Sequence, residues 1–280
     1  MKDRDINYMV NLLRHQPLLD EPMTKHTTFG IGGKAACYVY PNSQSELCEL
    51  LTYCDKNKIS VFFAGSGSNL LVSDDGFDGV VMSLRKTFKS LEISEDGLIN
   101  VESGVMLGNM VGNAIKQNIK GLESLIGVPG TLGGALIMNA GAYGSEISNY
   151  FKSATMISMS GEIKKYSQDD IKFSYWNSSF PENEILVDAT FECQKGNIDN
   201  IRKRKLLASQ KRKNNQPLKF RSAGSIFKNP NSELAAGLLI DKAGLKGLRE
   251  GNAEISSKHA NFIVNLGGAL AKDVLKLIRL

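Results

Sequence analysis

The stretch that decides the fold runs Gly127-Val128-Pro129-Gly130-Thr131-Leu132-Gly133-Gly134-Ala135-Leu136-Ile137-Met138-Asn139-Ala140-Gly141-Ala142-Tyr143-Gly144. With Gly121, it packs seven glycines into 24 residues. Small residues in nearly apolar company bring little packing energy of their own. They make sense where a flat ring system and a diphosphate lie against bare backbone. Close helix–strand packing explains one or two such glycines and leaves the others without a purpose.

A second glycine loop lies upstream, Gly65-Ser66-Gly67-Ser68-Asn69-Leu70-Leu71-Val72, directly after a strand read at 59–64. Its backbone amides and the Ser66 and Ser68 hydroxyls suit a diphosphate, with a ligand-free tight turn as the alternative. It is no dinucleotide fingerprint, because Asn69 stands near the third glycine's place and Ser73-Asp74-Asp75-Gly76 breaks any following helix. Neither cluster ends in the Gly-Lys-Ser/Thr of a phosphate-binding P-loop.

Around these loops strands and helices alternate. Strands are expected at 35–40, 80–84, 99–102 and 185–193, and a hairpin from 155–159 and 162–166 about Ser160-Gly161. Ser43-Gln44-Ser45-Glu46 reads as a capping box before Leu47, Leu50, Leu51 and Cys54 at helical spacing. Leu107, Met110, Val111 and Ala114 mark the face of another helix that stops before Gly121. The result is a mixed α/β (α+β) domain to about residue 195. A basic helix over 198–214 and a smaller α/β region follow.

The chain has 280 residues, 42% hydrophobic and 22% charged, with a net charge of +5. At about 150 residues per domain this predicts two domains. The charge favours a phosphate-bearing ligand and falls short of a nucleic-acid-coating protein. No apolar run reaches the roughly 18 residues of a membrane span. The start, Met1-Lys2-Asp3-Arg4-Asp5, opens no signal peptide, which predicts a cytoplasmic protein. Cys37, Cys48, Cys54 and Cys193 form no Cys-x-x-Cys pair, and His15, His26 and His259 are far apart, so neither a metal site nor a disulfide framework is expected. Redox chemistry here would need an organic cofactor.

Several stretches together resemble the UDP-N-acetylenolpyruvoylglucosamine reductase family, in its shorter form. They are Thr27-Thr28-Phe29-Gly30-Ile31-Gly32-Gly33, both glycine loops, Ser222-Ala223-Gly224-Ser225-Ile226-Phe227-Lys228-Asn229-Pro230, Ala243-Gly244-Leu245-Lys246-Gly247, and residues 256–265. The resemblance implies an FAD-binding domain of the vanillyl-alcohol-oxidase (PCMH) type over 22–195, after an N-terminal helical extension over 1–21. A smaller substrate-binding domain over 196–280 completes it. It implies NADPH-dependent reduction of an enolpyruvyl ether to the lactyl ether of UDP-N-acetylmuramate, in peptidoglycan synthesis. The partner is then a UDP-sugar, with neither nucleic acid nor membrane insertion. Oligomeric state is not legible.

Carried over residue by residue, the resemblance places the cofactor on Gly65, Ser66, Gly67, Ser68, Asn69, Gly127, Val128, Pro129, Gly130, Thr131, Gly133, Gly134 and Asn139. It places the nucleotide-sugar on Tyr175, Arg212, Lys213 and Asn229, whose charge and hydrogen bonding suit a diphosphate and a uracil. Ser225 stands where the family has its proton donor. Two departures accompany these matches. The family's Tyr-Arg-x-Ser is Tyr175-Trp176-Asn177-Ser178 here, so a neutral indole replaces the guanidinium at the catalytic position. Trp176 either packs on the flavin or an apolar ligand group, or fills the arginine's space. The sequence also ends within a helix over 273–280, read with Leu275, Ile278 and Leu280 on its apolar face, before the strand that bears the family's glutamate. The C-terminal domain therefore reads as truncated. The alternatives to the reductase are a flavin- or nucleotide-sugar-binding paralogue with weak or no activity, and a flavin reductase with a changed substrate.

Overall fold

A computed structural model describes residues 1–231 and 233–280. It divides into two compact units, one of Met1–Leu19, Cys37–Gly65 and Gly79–Gln210, the other of Asp20–Ala36, Ser66–Asp78 and Lys211–Leu280.

In the first unit a five-stranded antiparallel sheet has the order Ile163–Ser167, Phe151–Ser158, Glu184–Glu192, Leu98–Glu102, Leu91–Ile93. The expected hairpin about Ser160-Gly161 forms, with Met156 opposite Lys164. Phe151, Met156, Ala189 and Phe191 of this sheet share one core with the helix Leu107–Lys116, whose Leu107, Met110, Val111 and Ala114 are all buried as the spacing required. The strand expected at 59–64 shortens to Val61–Phe63 and pairs in parallel with Phe77–Met82, which begins earlier than its expected 80–84. Against these lies the helix Gln44–Lys56, buried through Leu47, Leu50, Leu51 and Cys54. Its cap is a variant of the expected box. Ser43 Oγ accepts from the Glu46 amide at 3.2 Å, while Glu46 Oε2 accepts from the Asn42 amide at 2.8 Å, one residue before the usual position. Met9 and Leu13, from the N-terminal helix Asp3–Leu12 and its end, fill the same core. The thiols of Cys37, Cys54 and Cys193 are buried and pushed up to about 12, which removes them as nucleophiles.

The second unit is a three-stranded antiparallel sheet, Arg249–Glu250, Ala253–Ile255 and Ile263–Asn265, covered by the helix Ala271–Arg279. That helix buries Ala271, Val274 and Leu277. Of the three residues expected on its apolar face, Ile278 packs partly buried against this core, while Leu275 and Leu280 are exposed. Residues 20–36 and 66–78, which chain order places in the first domain, join this unit through specific hydrogen bonds. Asn265 Nδ2 donates to Phe29 O at 2.9 Å, and the Ala271 and Lys272 amides donate to Asp74 at 2.7 and 3.0 Å. Phe29 and Ile31 sit in the core beside Ala253, Ile255 and Ile263. Among the described residues no helix is long and apolar enough to cross a membrane.

Candidate active site

In the first unit the Gly127–Gly144 loop is braced from below. The Gly133 amide donates to Ser103 O at 2.9 Å, the Leu132 amide to Val105 O at 2.7 Å, and Gly130 O accepts from the Leu107 amide at 3.0 Å. Those bonds fix the loop's underside and leave Gly127, Pro129 and Gly134 exposed. A Cβ on Gly134 would meet only Thr131 Oγ1, at 3.8 Å, so its outer face is open backbone. Gly65 is brought to the same place, since a Cβ there would lie 2.5 Å from Thr131 Oγ1. Val128 is held by its amide, which donates to Leu125 O. One turn upstream the Ser124 hydroxyl is buried with no hydrogen-bond partner among the described residues.

The loop 66–69 belongs to the second unit. Gly67 has φ +68°, and a Cβ on it would overlap the His26 carbonyl, so only glycine fits. Its own carbonyl accepts from the Thr28 amide at 3.0 Å. Ser66 Oγ is a second buried hydroxyl without a partner among the described residues, while Asn69 is exposed and Ser68 partly so. A buried hydroxyl left unpaired is destabilising, by about 1–3 kcal/mol, unless a ligand or water meets it. In the first unit the exposed backbone of Gly127 and Gly134 suits a flat ring lying on bare glycine, and in the second the orphan Ser66 hydroxyl suits a phosphate oxygen.

Asn139 has a different position from an open cofactor contact. It is fully buried with φ +44°, and its amide nitrogen donates to Glu146 Oε2 at 2.8 Å and to Ser174 O at 3.0 Å. It thereby braces two hairpins. The first, Gly141-Ala142 against Ser145-Glu146, turns through Tyr143-Gly144, both at positive φ. The second, Phe173-Ser174 against Asn177-Ser178, turns through Tyr175-Trp176. Trp176 sits at φ +53°, a left-handed conformation that a bulky residue adopts at a penalty of roughly 1–2 kcal/mol. Its ring stacks on Tyr175, centroids 5.3 Å apart and planes at 27°.

Ser225 is held in the second unit by its neighbours rather than by its hydroxyl. It forms an isolated antiparallel bridge with Phe262, and the Ile226 amide donates to Asn261 O at 2.9 Å. The buried Asn261 side chain then clamps the next residue from both sides, Oδ1 accepting from the Phe227 amide at 2.9 Å and Nδ2 donating to Phe227 O at 2.8 Å. Gly224, at φ +83° with nothing near where a Cβ would stand, keeps the approach open. Asn229 Oδ1 accepts from the Ala236 amide at 3.0 Å, so this exposed residue also fastens the loop to the helix Ala236–Lys242. Arg212 and Lys213 end the basic helix Ile198–Asn215, and Lys213 O accepts from Lys258 Nζ at 2.8 Å. Sequence reasoning assigned no role to Asn261, Thr28 or Glu146. Thr28 and Asn261 act through partners distant in the chain, Ser222 and Phe227, and Glu146 through the buried side chain of Asn139.

His259 packs edge-on to Phe262, centroids 4.8 Å apart, and its Nδ1 accepts from the Asn261 amide at 3.3 Å. Burial, opposed by a backbone hydrogen bond and helped by the positive Lys246, holds its pKa below the ordinary 6.5. The folded state therefore binds its proton later than the unfolded chain does. This contribution to stability is present above pH 6.5 and is lost as pH falls through the folded pKa. The urea midpoint is expected to drop between pH 7.5 and 5.5, and His259→Gln to flatten that drop. An unchanged slope in His259→Gln would remove His259 as its source.

The mixed α/β scaffold that carries the Gly127–Gly144 loop is that of a flavin-binding protein of the PCMH type. Residues 35–167 match the family described as FAD binding domain, and residues 216–280 match the UDP-N-acetylenolpyruvoylglucosamine reductase C-terminal domain. The chain is similar to the UDP-N-acetylenolpyruvoylglucosamine reductase of Caldicellulosiruptor saccharolyticus, 45% identical across 93% of this chain and 84% of the relative. It is similarly close to that of Clostridioides difficile, 41% identical across 99% and 92%. The crystal structure of the Thermus caldophilus enzyme superposes with a TM-score of 0.81 at 35% identity, over 95% of this chain and 94% of that one. The structure of p-cresol methylhydroxylase, 14% identical with a TM-score of 0.52 over 69% of this chain and 43% of that one, shares the fold. The chain belongs to the UDP-N-acetylenolpyruvoylglucosamine reductase family.

Proposed function

We propose that this protein is the FAD-dependent reductase that converts UDP-N-acetylenolpyruvoylglucosamine to UDP-N-acetylmuramate at the expense of NADPH. It acts in the cytoplasm, on the path to peptidoglycan. The observation that carries this reading is Ser225, fixed by its bridge to Phe262 and the Asn261 clamp, with its hydroxyl making no hydrogen bond among the described residues, beside an open Gly224. Bound FAD supplies hydride transfer between NADPH and the enolpyruvyl group. The residues 22–195 hold that cofactor, through Gly65–Asn69, Gly127–Thr131, Gly133 and Gly134, with Asn139 bracing the adjoining hairpins. The residues 196–280 receive the nucleotide-sugar, with Arg212 and Lys213 on the diphosphate and Asn229 on the base. Tyr175 offers an exposed ring and hydroxyl to the sugar. Ser225 gives its proton to the carbon next to the one that gains hydride.

The test is mass spectrometry of the FAD-loaded full chain incubated with NADPH and the enolpyruvyl substrate. A product heavier by two hydrogens, dependent on NADPH, is expected. Failure of a flavin-loaded preparation to form it would overturn the reading. The second reading, a flavin- or nucleotide-sugar-binding paralogue or a reductase of another substrate, is favoured by Trp176, held in a strained conformation where the family has an arginine. Binding of UDP-sugar without turnover, or turnover of another enol ether alone, would establish it.

A further inference from the structure

Gly30 has φ +66°, and the room beside it is taken up by another side chain. A Cβ at residue 30 would lie 2.9 Å from Arg221 Cδ and closer still to Nη1, so the arginine stem runs directly over the Gly30 backbone. Arg221 itself is anchored by its main chain, its carbonyl accepting from the Asn265 amide at 2.9 Å in an isolated antiparallel bridge. The guanidinium is on an exposed residue, and among the described residues it forms no ion pair and no side-chain hydrogen bond. The fold thus seats a fork of five donors and, among the described residues, gives it no side-chain acceptor.

Thr28 says what the fork is seated beside. Its hydroxyl donates to Ser222 O at 2.8 Å, and its amide donates to Gly67 O at 3.0 Å. One residue therefore ties the neighbour of Arg221 to the neighbour of Ser66, whose buried hydroxyl has no partner among the described residues. A preorganised guanidinium next to a glycine loop with a vacant hydroxyl is the donor set of a bidentate phosphate contact. We propose that Arg221 binds the diphosphate of a nucleotide ligand, and that Gly30 is glycine so that this side chain can lie across it. The assignment rests on the proposed function only for which diphosphate arrives, that of FAD or that of the UDP-sugar.

Three variants test it in the full chain. Arg221→Gln keeps the stem on Gly30 and removes the charge, Arg221→Lys keeps a charge and removes the fork, and Gly30→Ala displaces the stem. Dialysis against graded FAD and calorimetric titration with UDP give the two affinities, and the urea midpoint reports folding. Loss of a charged hydrogen bond of this kind is worth roughly 10- to 100-fold in affinity. Arg221→Gln is expected to weaken one ligand by that factor at an unchanged urea midpoint, with Arg221→Lys between it and the parent. Weakened FAD identifies the cofactor's diphosphate and weakened UDP the substrate's. Gly30→Ala is expected to weaken the same ligand, and to add little in combination with Arg221→Gln, because both remove one contact. Unchanged affinity for both ligands in Arg221→Gln would overturn the proposal. A parent chain that takes up no FAD would instead overturn the proposed function, and the UDP arm would still decide Arg221.

Discussion

Ser225→Ala is expected to lower kcat by about 10²- to 10⁴-fold, the usual contribution of a positioned proton donor. FAD content and anaerobic bleaching of the flavin band by NADPH are expected to stay at parental levels. The structure separates these effects because Ser225 contributes to its surroundings through main-chain atoms. Its bridge to Phe262 and the Asn261 clamp on Phe227 involve no Ser225 Oγ, so alanine leaves the loop where it is. A free serine is a weak acid, and its usefulness depends on being aimed at the carbon that needs the proton while that carbon carries negative charge. Steady-state kinetics in deuterated solvent give the check. A parent-like kcat in Ser225→Ala would mean that the proton comes from elsewhere. Asn261→Ala is the companion variant, since it frees the loop while keeping the hydroxyl, and it too should lower kcat if aim is what matters.

The elements of the first unit were legible because their apolar spacing is local. Leu107, Met110, Val111 and Ala114 announce a helix face, and all four are buried on one. The glycine loops were legible for a related reason: a Cβ at Gly67 or Gly65 has nowhere to go, and that demand is written in the residue itself. The composition of the second unit was not legible. Residues 20–36 and 66–78 join it through single hydrogen bonds such as Thr28 to Ser222 and Asn265 to Phe29, between residues 194 and 236 positions apart. Such bonds leave no periodic trace. The same holds for Asn139, whose buried amide links two hairpins that each look like an isolated turn in sequence. Arg221 could not be singled out either, since its meaning comes from the glycine it covers. Leu275 marks a further limit: a helix face can be recognised from spacing, while which of its residues are covered is decided by the sheet against which it packs.

Trp176→Arg is expected to raise kcat by about 10²- to 10³-fold, the worth of one well-placed donor to a developing anion. The backbone at this position is fixed independently of the side chain. Phe173–Ser174 pairs with Asn177–Ser178, Ser178 Oγ donates to Ile137 O at 2.6 Å, and Asn139 holds Ser174 O. Tryptophan and arginine both carry the left-handed strain of φ +53°, so that penalty cancels between parent and variant. What changes is the stacking on Tyr175, worth about 0.5–1.5 kcal/mol, and the charge. An indole offers one neutral N–H, whereas a guanidinium offers a cation with five donors. Trp176→Lys restores charge without the fork and should recover part of the gain; Trp176→Phe restores neither and should recover none. A fall in kcat for Trp176→Arg, with FAD affinity and urea midpoint kept, would show the opposite. The strained indole would then be a working wall of the pocket, and the substrate would be one whose apolar group it was shaped to meet.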